Sequence, residues 1–211
     1  KTVPLKPEVA VAKVAAKEIN LLIGTNRDEG VLFFPSDSDL LPESKINEIL
    51  EEYMGKEAAE AASSLYPRSL EGHVDMMTDL IFWHPSVVFA SAQSRYASVF
   101  MYRFDWHADS EQPPFNKAAH GLEIPFVFGN MDILEQLTGT KAGEEAQLLA
   151  EQIQAAWVSF ARSGNPSTDD VSWPDYDEDS RKTLIFDQEV AVESDPYSDK
   201  RKMLTAPNPQ I

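Results

Sequence analysis

Two short segments of the sequence carry side chains that suit acid–base chemistry. Asp28 and Glu29 lie in G-T-N-R-D-E-G at residues 24–30, directly after an apolar run typical of a strand buried on both faces, and His120 lies in a loop after the next predicted strand. Open α/β sheets place their sites beyond the carboxyl ends of parallel strands. A carboxylate beside an imidazole would support general acid–base catalysis there. From spacing alone, loop capping and salt bridging explain the two acids more simply.

Other kinds of site lack the residues that they need. A nucleophilic serine on a G-x-S-x-G elbow is absent, because only Gly139 and Gly143 are spaced four apart and Lys141 stands between them. No two glycines are adjacent, so an HGGG-type oxyanion loop is absent as well. The histidines form no i, i+4 pair and the chain has no cysteine. We therefore expect no metal and no cofactor.

The composition narrows the class of protein further. The chain has 211 residues, of which 43% are hydrophobic, and this is enough for one domain with its own core. Its net charge of -17 repels phosphate backbones and anionic lipids, so we expect no nucleic-acid partner and no membrane partner. The lack of cysteines suits a bacterial cytoplasm or a secreted protein without disulfides, with the cytoplasm slightly preferred.

Helices and strands in alternation must position the two segments. We predict helices over residues 9–17, 44–54, 56–65, 74–95 and 144–162, with Pro85 as a kink or a new start, and strands over 19–24, 98–106, 183–187 and 190–193, the first ending at Gly24. The polar tail after residue 194 is predicted to lie on the surface. The pattern is α/β, one domain over residues 1–211 with no internal boundary. Two principal strands are few for this length, so the sheet is expected to be incomplete.

Several motifs resemble those of one known family. G-T-N-R-D-E-G at residues 24–30 and H-G-L-E-I-P-F-V-F-G at residues 120–129 resemble the acid and histidine motifs of type B carboxylesterases, the cholinesterase-like branch of the α/β hydrolases, and most closely those of bacterial para-nitrobenzyl esterases. Four further segments agree in family order: M-M-T-D at 76–79, M-Y-R-F-D-W at 101–106, F-A-R-S-G-N-P at 160–166 and W-P-D-Y at 173–176. The resemblance implies the C-terminal part of an α/β-hydrolase fold, with a partial, mostly parallel mixed sheet and flanking helices.

The resemblance also implies roles for individual residues. The family's acid maps to Glu29 and its base to His120, while the serine and the oxyanion glycines would lie upstream of Lys1. We therefore expect an N-terminal segment of the same enzyme as partner, a small carboxylic ester as substrate and an acyl-enzyme intermediate, with the isolated chain inactive. Asp28 is expected to pair with Arg27 at the turn.

An ester site must also be apolar and concave. Five residues near the motifs are candidates for its lining, although each also suits a core position: Leu32, Phe33, Met77, Leu80 and Ile81. Glu123 is expected to satisfy polar groups near the histidine loop. Two alternatives stay open. One is a non-catalytic, cholinesterase-like binding module, which the presence of both Glu29 and His120 disfavours, and the other is a self-standing small α/β domain, which would need more strands.

Overall fold

The structure, a computed structural model, describes residues 7–12, 17–34, 36, 40–110 and 113–205. Its strands form one sheet in the order β1-β2-β3-β4. Their bounds are β1 Leu21–Asn26, β2 Val99–Phe104, β3 Lys182–Phe186 and β4 Ala191–Ser194. The first three strands are parallel and β4 pairs antiparallel with β3. The predicted α/β class and the partial, mostly parallel sheet are confirmed.

Helices cover both faces of this sheet. Their bounds are α1 Pro7–Ala12, α2 Glu43–Met54, α3 Lys56–Ala62, α4 Leu70–Met77, α5 His84–Ser94, α6 Ile124–Phe128, α7 Met131–Thr138, α8 Glu144–Ser163 and α9 Ser198–Leu204. Of the predicted first helix, residues 13–16 lie outside the described residues. In the portions of the chain that the structure describes, no helix has the length and apolar character needed to cross a bilayer.

Strand β1 extends past the glycine that was predicted to end it. It runs through Gly24 to Asn26, and Gly24 is paired with Tyr102 of β2. A Cβ atom at Gly24 would lie 2.3 Å from the Tyr102 ring, so the glycine serves close packing between strands and does not stop β1. The prediction of a strand end at Gly24 was wrong. The turn that carries the acidic residues consequently starts at residue 27.

Residues of β2 alternate between two cores. Phe100 and Phe104 belong to a cluster with α6, α7 and α8, whereas Val99 and Met101 belong to a cluster with α2 to α5 and α9. We call the first side the aromatic face, whose buried members include Phe100, Phe104, Leu122, Phe126, Ile153, Trp173, Leu184 and Phe186. We call the second the mixed face, where buried apolar residues lie beside His73, Thr78, Asp79, His84 and Arg103.

The helical stretch that forms part of the mixed face is continuous but changes its winding. Residues Thr78–Trp83 form a π-helical turn between α4 and α5. Pro85 lies in the first turn of α5, directly after the π turn, so the predicted kink or new start coincides with this change in winding. A π turn is wider than an α-helical turn and shifts the side chains that follow it around the helix axis. The turn therefore changes which residues face the end of β1.

Two parts of the chain differ from the sequence prediction. Helices α6 and α7, which follow the histidine loop, had no predicted counterpart. The tail after residue 194, predicted to lie on the surface, forms helix α9, and although much of it is exposed, Leu204 of α9 is buried. Its polar side chains also reach inward, because Lys200 Nζ lies 2.9 Å from the buried carboxylate of Asp79.

Candidate active site

The acid turn follows directly from the end of β1. Glu29 starts a short 3-10 turn, Glu29–Leu32, and its side chain is buried. Gly30 lies so close to α4 that a Cβ atom there would be 2.3 Å from the carbonyl oxygen of Val74. Its backbone N–H donates to Thr78 Oγ1 over 2.9 Å. The glycine of the D-E-G motif therefore allows the turn to pack against the mixed face.

The histidine loop is joined to the acid turn by backbone hydrogen bonds. Asp28 N donates to the carbonyl oxygen of Ala118 over 3.0 Å, and Asp28 forms an isolated parallel bridge with Ala119. Ala118 N in turn donates to Asp28 Oδ2 over 3.1 Å. Across the described residues Asp28 makes no ion pair with Arg27, so the predicted Asp28–Arg27 pair was wrong. The Asp28 carboxylate accepts from the backbone of the neighbouring loop instead.

These two connections bring Glu29 and His120 into direct contact. His120 Nδ1 lies 2.5 Å from Glu29 Oε2. The other carboxylate oxygen, Glu29 Oε1, accepts from the backbone N–H of Asn26 over 2.7 Å. Because an ionised carboxylate can only accept, the proton of this pair is assigned to Nδ1. Nε2 is then the ring nitrogen available to receive a proton from a reacting group.

Burial and hydrogen bonding act on Glu29 in opposite directions. Burial raises the pKa of Glu29 above its ordinary value, while the hydrogen bonds from Asn26 N–H and from His120 favour the carboxylate and lower that pKa. The nearby Glu123 carboxylate adds a further raising effect on the pKa of Glu29. The net upward shift means that Glu29 depends on its donors to stay ionised. An acid held in this way stabilises an imidazolium in contact with it.

The imidazole of His120 is flanked by aromatic rings. Its centroid lies 5.0 Å from that of Phe82 and 6.5 Å from that of Phe33, and the two phenyl rings are 6.2 Å apart. Phe82 belongs to the π-helical turn, so the changed winding of that helix has a direct effect at the histidine. The rings limit the positions that His120 can adopt.

A cavity of about 420 Å³ opens beside the Glu29–His120 pair. Its lining includes Ile23, Gly24, Thr25, Glu29, Ile81, Phe82, Pro85, Phe89, His120 and Glu123. The volume and the apolar wall fit a small organic molecule. A larger cavity of about 540 Å³ lies beyond the acid turn and is lined by charged groups such as Arg27, Asp79 and Lys200. We take the smaller cavity as the candidate active site because it contains the acid–base pair.

The five residues proposed for the lining lie in different surroundings. Ile81 lines the cavity and Phe33 approaches His120, whereas Leu32 is exposed on the acid turn away from the cavity lining. Leu80 is buried in the core of the mixed face, because it points inward from the π turn where Ile81 points outward. Met77 is half-buried on α4, with its Cβ close to Gly30.

Sequence reasoning missed other residues of the site. Phe82 and Phe89 contribute to the cavity wall, and no motif distinguishes them from core residues of a helix. Asn26 lies inside the G-T-N-R-D-E-G motif, so the motif itself was the signal that could have identified it. Its Nδ2 donates to Glu123 Oε2, and Glu123 therefore satisfies a buried polar group near the histidine loop, as expected.

Within the described ranges, no three His, Cys, Asp or Glu side chains come together in a group that could hold a metal ion. The chemistry that the arrangement can perform is proton transfer at His120, oriented by Glu29, next to an apolar cavity.

This arrangement is that of a segment of an α/β hydrolase. The acid follows one parallel strand, the histidine follows the next, and helices cover both faces of the sheet. A model of the carboxylesterase family matches residues 1–204, and the chain belongs to that family. The family resemblance stated from the motifs is thus confirmed.

Individual relatives agree with this assignment. The para-nitrobenzyl esterase of Bacillus subtilis (strain 168) is 54% identical over 204 residues, which are 97% of this chain and 41% of that protein. A rat acylcarnitine hydrolase is 34% identical over 162 residues, covering 73% of this chain and 26% of that protein. The chain therefore spans well under half the length of these relatives.

Solved structures give the same result for the fold. A thermophilic para-nitrobenzyl esterase superposes with a TM-score of 0.89 at 53% identity, covering 95% of this chain and 41% of that chain. A Geobacillus stearothermophilus carboxylesterase superposes with a TM-score of 0.74 at 29% identity, covering 94% of this chain and 43% of that chain. These neighbours support the α/β-hydrolase fold for the described residues.

Proposed function

We propose that this chain is the acid- and base-bearing segment of a serine carboxylesterase, with Glu29 as the acid and His120 as the base of a Ser-Glu-His triad. The observation that carries the proposal is the contact of 2.5 Å between His120 Nδ1 and Glu29 Oε2, made by residues in the segments that follow two adjacent parallel strands. The buried Glu29 is held on its other oxygen by Asn26 N–H, so the acid has a fixed orientation. A carboxylate in this position selects the histidine tautomer in which Nε2 accepts a proton.

The serine and the oxyanion donors would come from another segment of the same enzyme. The sequence of this chain has no G-x-S-x-G elbow, and it spans 41% of the length of the Bacillus esterase. In the described part of the sheet, β1 pairs on one side with β2 and leaves its other edge for further strands. A parallel strand added at that edge would deliver its carboxyl end next to Glu29 and His120, where a nucleophile is required.

In the proposed reaction, His120 Nε2 takes the proton of the serine hydroxyl as the serine attacks the ester carbonyl. Glu29 stabilises the imidazolium that forms, and His120 then returns the proton to the departing alkoxide. Water hydrolyses the acyl-enzyme through the same base. The apolar cavity beside the pair suits small carboxylic esters, which agrees with the esterase and hydrolase names of the relatives. On this proposal the isolated chain has no activity, because the base has no nucleophile to activate.

Substitutions in the full-length protein test the proposal. His120→Ala removes the base, so kcat for a short-chain p-nitrophenyl ester should fall by about three orders of magnitude or more. Glu29→Gln keeps the side-chain size but loses the charge that supports the imidazolium, and kcat should fall at least about a hundredfold. His107→Ala is the matched control, because His107 is exposed and does not line the cavity.

The proposal fails if His120→Ala and Glu29→Gln both keep wild-type turnover. In that case other groups would act as acid and base, whereas a full-length protein that hydrolyses no ester at all would favour the non-catalytic binding module. Loss of activity in His107→Ala as well would show that any histidine substitution damages the protein, and circular dichroism of each variant separates this outcome from a loss of chemistry.

A further inference from the structure

Asn26 contacts Glu29 and the residue that precedes His120. It is the last residue of β1 and is 1% exposed. Its backbone N–H donates to Glu29 Oε1 over 2.7 Å. Its side-chain Nδ2 donates to the carbonyl oxygen of Ala119 over 2.7 Å and to Glu123 Oε2 over 2.5 Å. Ala119 is the residue immediately before His120, so one buried side chain fixes the backbone that carries the base.

The chemistry of these contacts fits an amide better than any other group of its size. An amide nitrogen has two hydrogens, and both are used, one on a carbonyl oxygen and one on a carboxylate. Because both neighbours are acceptors, the orientation of the amide is determined by the network. An aspartate at this position would present oxygens to two acceptors, and a serine would have one hydrogen for two partners.

The strand around Asn26 makes the side chain a rigid connection. Asn26 is in register with Phe104 of β2, and the next residue, Arg27, donates its N–H to the carbonyl oxygen of Phe104 over 2.9 Å. Phe104 is fully buried in the aromatic face. The position of Asn26 is therefore set by the sheet, and Ala119 and Glu123 are held relative to the sheet through it.

We infer that Asn26 is a positioning residue of the Glu29–His120 pair. Its backbone N–H orients the acid, and its side chain holds the loop that carries the base at the distance at which His120 reaches Glu29. It acts through these two residues, and the effect on turnover rests on the proposed esterase function. A displacement of about 1 Å between catalytic groups is enough to reduce turnover by about a hundredfold.

Asn26→Asp in the full-length protein separates this role from general stability. The substitution keeps the size of the side chain and the backbone N–H but removes both donors and adds a negative charge beside Glu123. We expect loss of the low-field proton resonance of His120 Nδ1–H, which reports the bond to Glu29, and a fall in kcat of at least about tenfold, with KM for a p-nitrophenyl ester changed by less than about twofold.

Asn20→Asp is the matched control. Asn20 Nδ2 also donates to a backbone carbonyl, that of Gly164, over 3.0 Å, but it lies just before the other end of β1. The same chemical change there should keep the His120 resonance and kcat. Asn26→Ser gives a second test without an added charge if Asn26→Asp does not fold, and it should change the resonance and kcat in the same direction.

The outcomes distinguish the inference from the proposed function. Retention of the His120 resonance and of kcat in both Asn26 variants overturns the positioning role and leaves the esterase proposal intact. A wild-type protein that shows the resonance but hydrolyses no ester overturns the esterase proposal, and the resonance in the Asn26 variants still decides whether Asn26 holds the pair. A fall in kcat for Asn20→Asp equal to that for Asn26→Asp also overturns the inference, because the effect would then be general.

Discussion

The two faces of the sheet are stabilised by different kinds of interaction. On the aromatic face, rings pack against rings: the centroids of Tyr102 and Trp157 are 5.2 Å apart and those of Trp173 and Phe186 are 5.4 Å apart. On the mixed face, buried ionisable groups lie among the apolar residues. They include His73, Tyr66, Asp79, His84 and the Arg103–Asp105 pair. The stability contributed by ring packing does not depend on pH, whereas the stability contributed by buried titratable groups does.

Two groups on the mixed face show how far burial changes titration. Burial lowers the pKa of His84 to about 4, so this histidine is neutral in the folded protein at neutral pH. Burial raises the pKa of Asp79 to about 6, against the lowering effects of Lys200 and of the Tyr66 hydroxyl. The two shifts act in opposite directions. Between pH 4 and 6 the folded state holds the Asp79 proton more tightly than the unfolded state, so the Asp79 contribution to stability falls as pH rises.

The candidate site lies where these two faces meet. Gly30 of the acid turn is bonded to Thr78 of the mixed face, while the histidine loop continues into α6, whose Phe126 packs on the aromatic face. The turn that carries Glu29 is thus held by the mixed face, and the loop that carries His120 is held by the aromatic face. The pair therefore depends on contacts across the boundary between the two faces, which we call the junction.

The largest effect is expected on the aromatic face. Trp173→Ala removes a ring that is 2% exposed and packs against Phe100, Tyr102 and Phe186, and it loses the bond from Trp173 Nε1 to the carbonyl oxygen of Met101. The free energy of unfolding should fall by about 3–5 kcal/mol. Because no proton is involved, the loss should be the same at pH 5 and pH 8, as measured by denaturant unfolding.

Phe128→Ala provides the control for this prediction. The Phe128 side chain is 77% exposed on α6, so its loss should change the free energy of unfolding by less than about 0.5 kcal/mol. A loss for Trp173→Ala that varies strongly with pH would contradict the distinction between the two faces.

The sequence contained much of this arrangement but not all of it. The presence of the four strands and of the long helix α8 was predicted from hydrophobic periodicity, and Glu29 and His120 were proposed from two motifs, because these signals lie within short stretches of chain. The π turn, and with it the position of Phe82 beside His120, depends on how a helix accommodates its neighbours, and periodicity contains no trace of it. The contacts of α9 were missed for a similar reason: Lys200 is stabilised by Asp79, more than a hundred residues away in the sequence.

The second prediction concerns His84 on the mixed face. Thr205 Oγ1 donates to the Arg201 carbonyl, so His84 Nε2–H donates to Thr205 Oγ1 and Nδ1 accepts from Tyr53. The pKa of His84 is about 4 in the folded protein against 6.5 ordinarily. The neutral ring stabilises the fold fully above about pH 6.5, and that contribution is lost as the pH falls toward 4. It amounts to at most about 3 kcal/mol.

His84→Gln removes this titration and retains polar atoms for hydrogen bonding. We expect the free energies of unfolding of wild type and variant to converge as the pH is lowered from 7 to 4.5, since the wild type alone loses the His84 contribution. Urea unfolding at a series of pH values measures the difference, and the titration of Asp79 cancels because it is present in both proteins. A difference that stays constant with pH would mean that His84 does not titrate as its burial requires.

The smallest effect is expected at the junction, from Asp28→Asn. The Asp28 carboxylate accepts a hydrogen bond from Ala118 N, and the amide oxygen of asparagine can accept the same bond, while the bond from Asp28 N to Ala118 O is unchanged. The free energy of unfolding should fall by less than about 1 kcal/mol, and kcat of the full-length protein should change by less than about threefold. Kinetics on a p-nitrophenyl ester beside Glu29→Gln give the test. If Asp28→Asn abolished turnover while Glu29→Gln were nearly silent, the acid would be Asp28. The junction would then be built on the neighbouring carboxylate, and the contact between Glu29 and His120 would have to be structural.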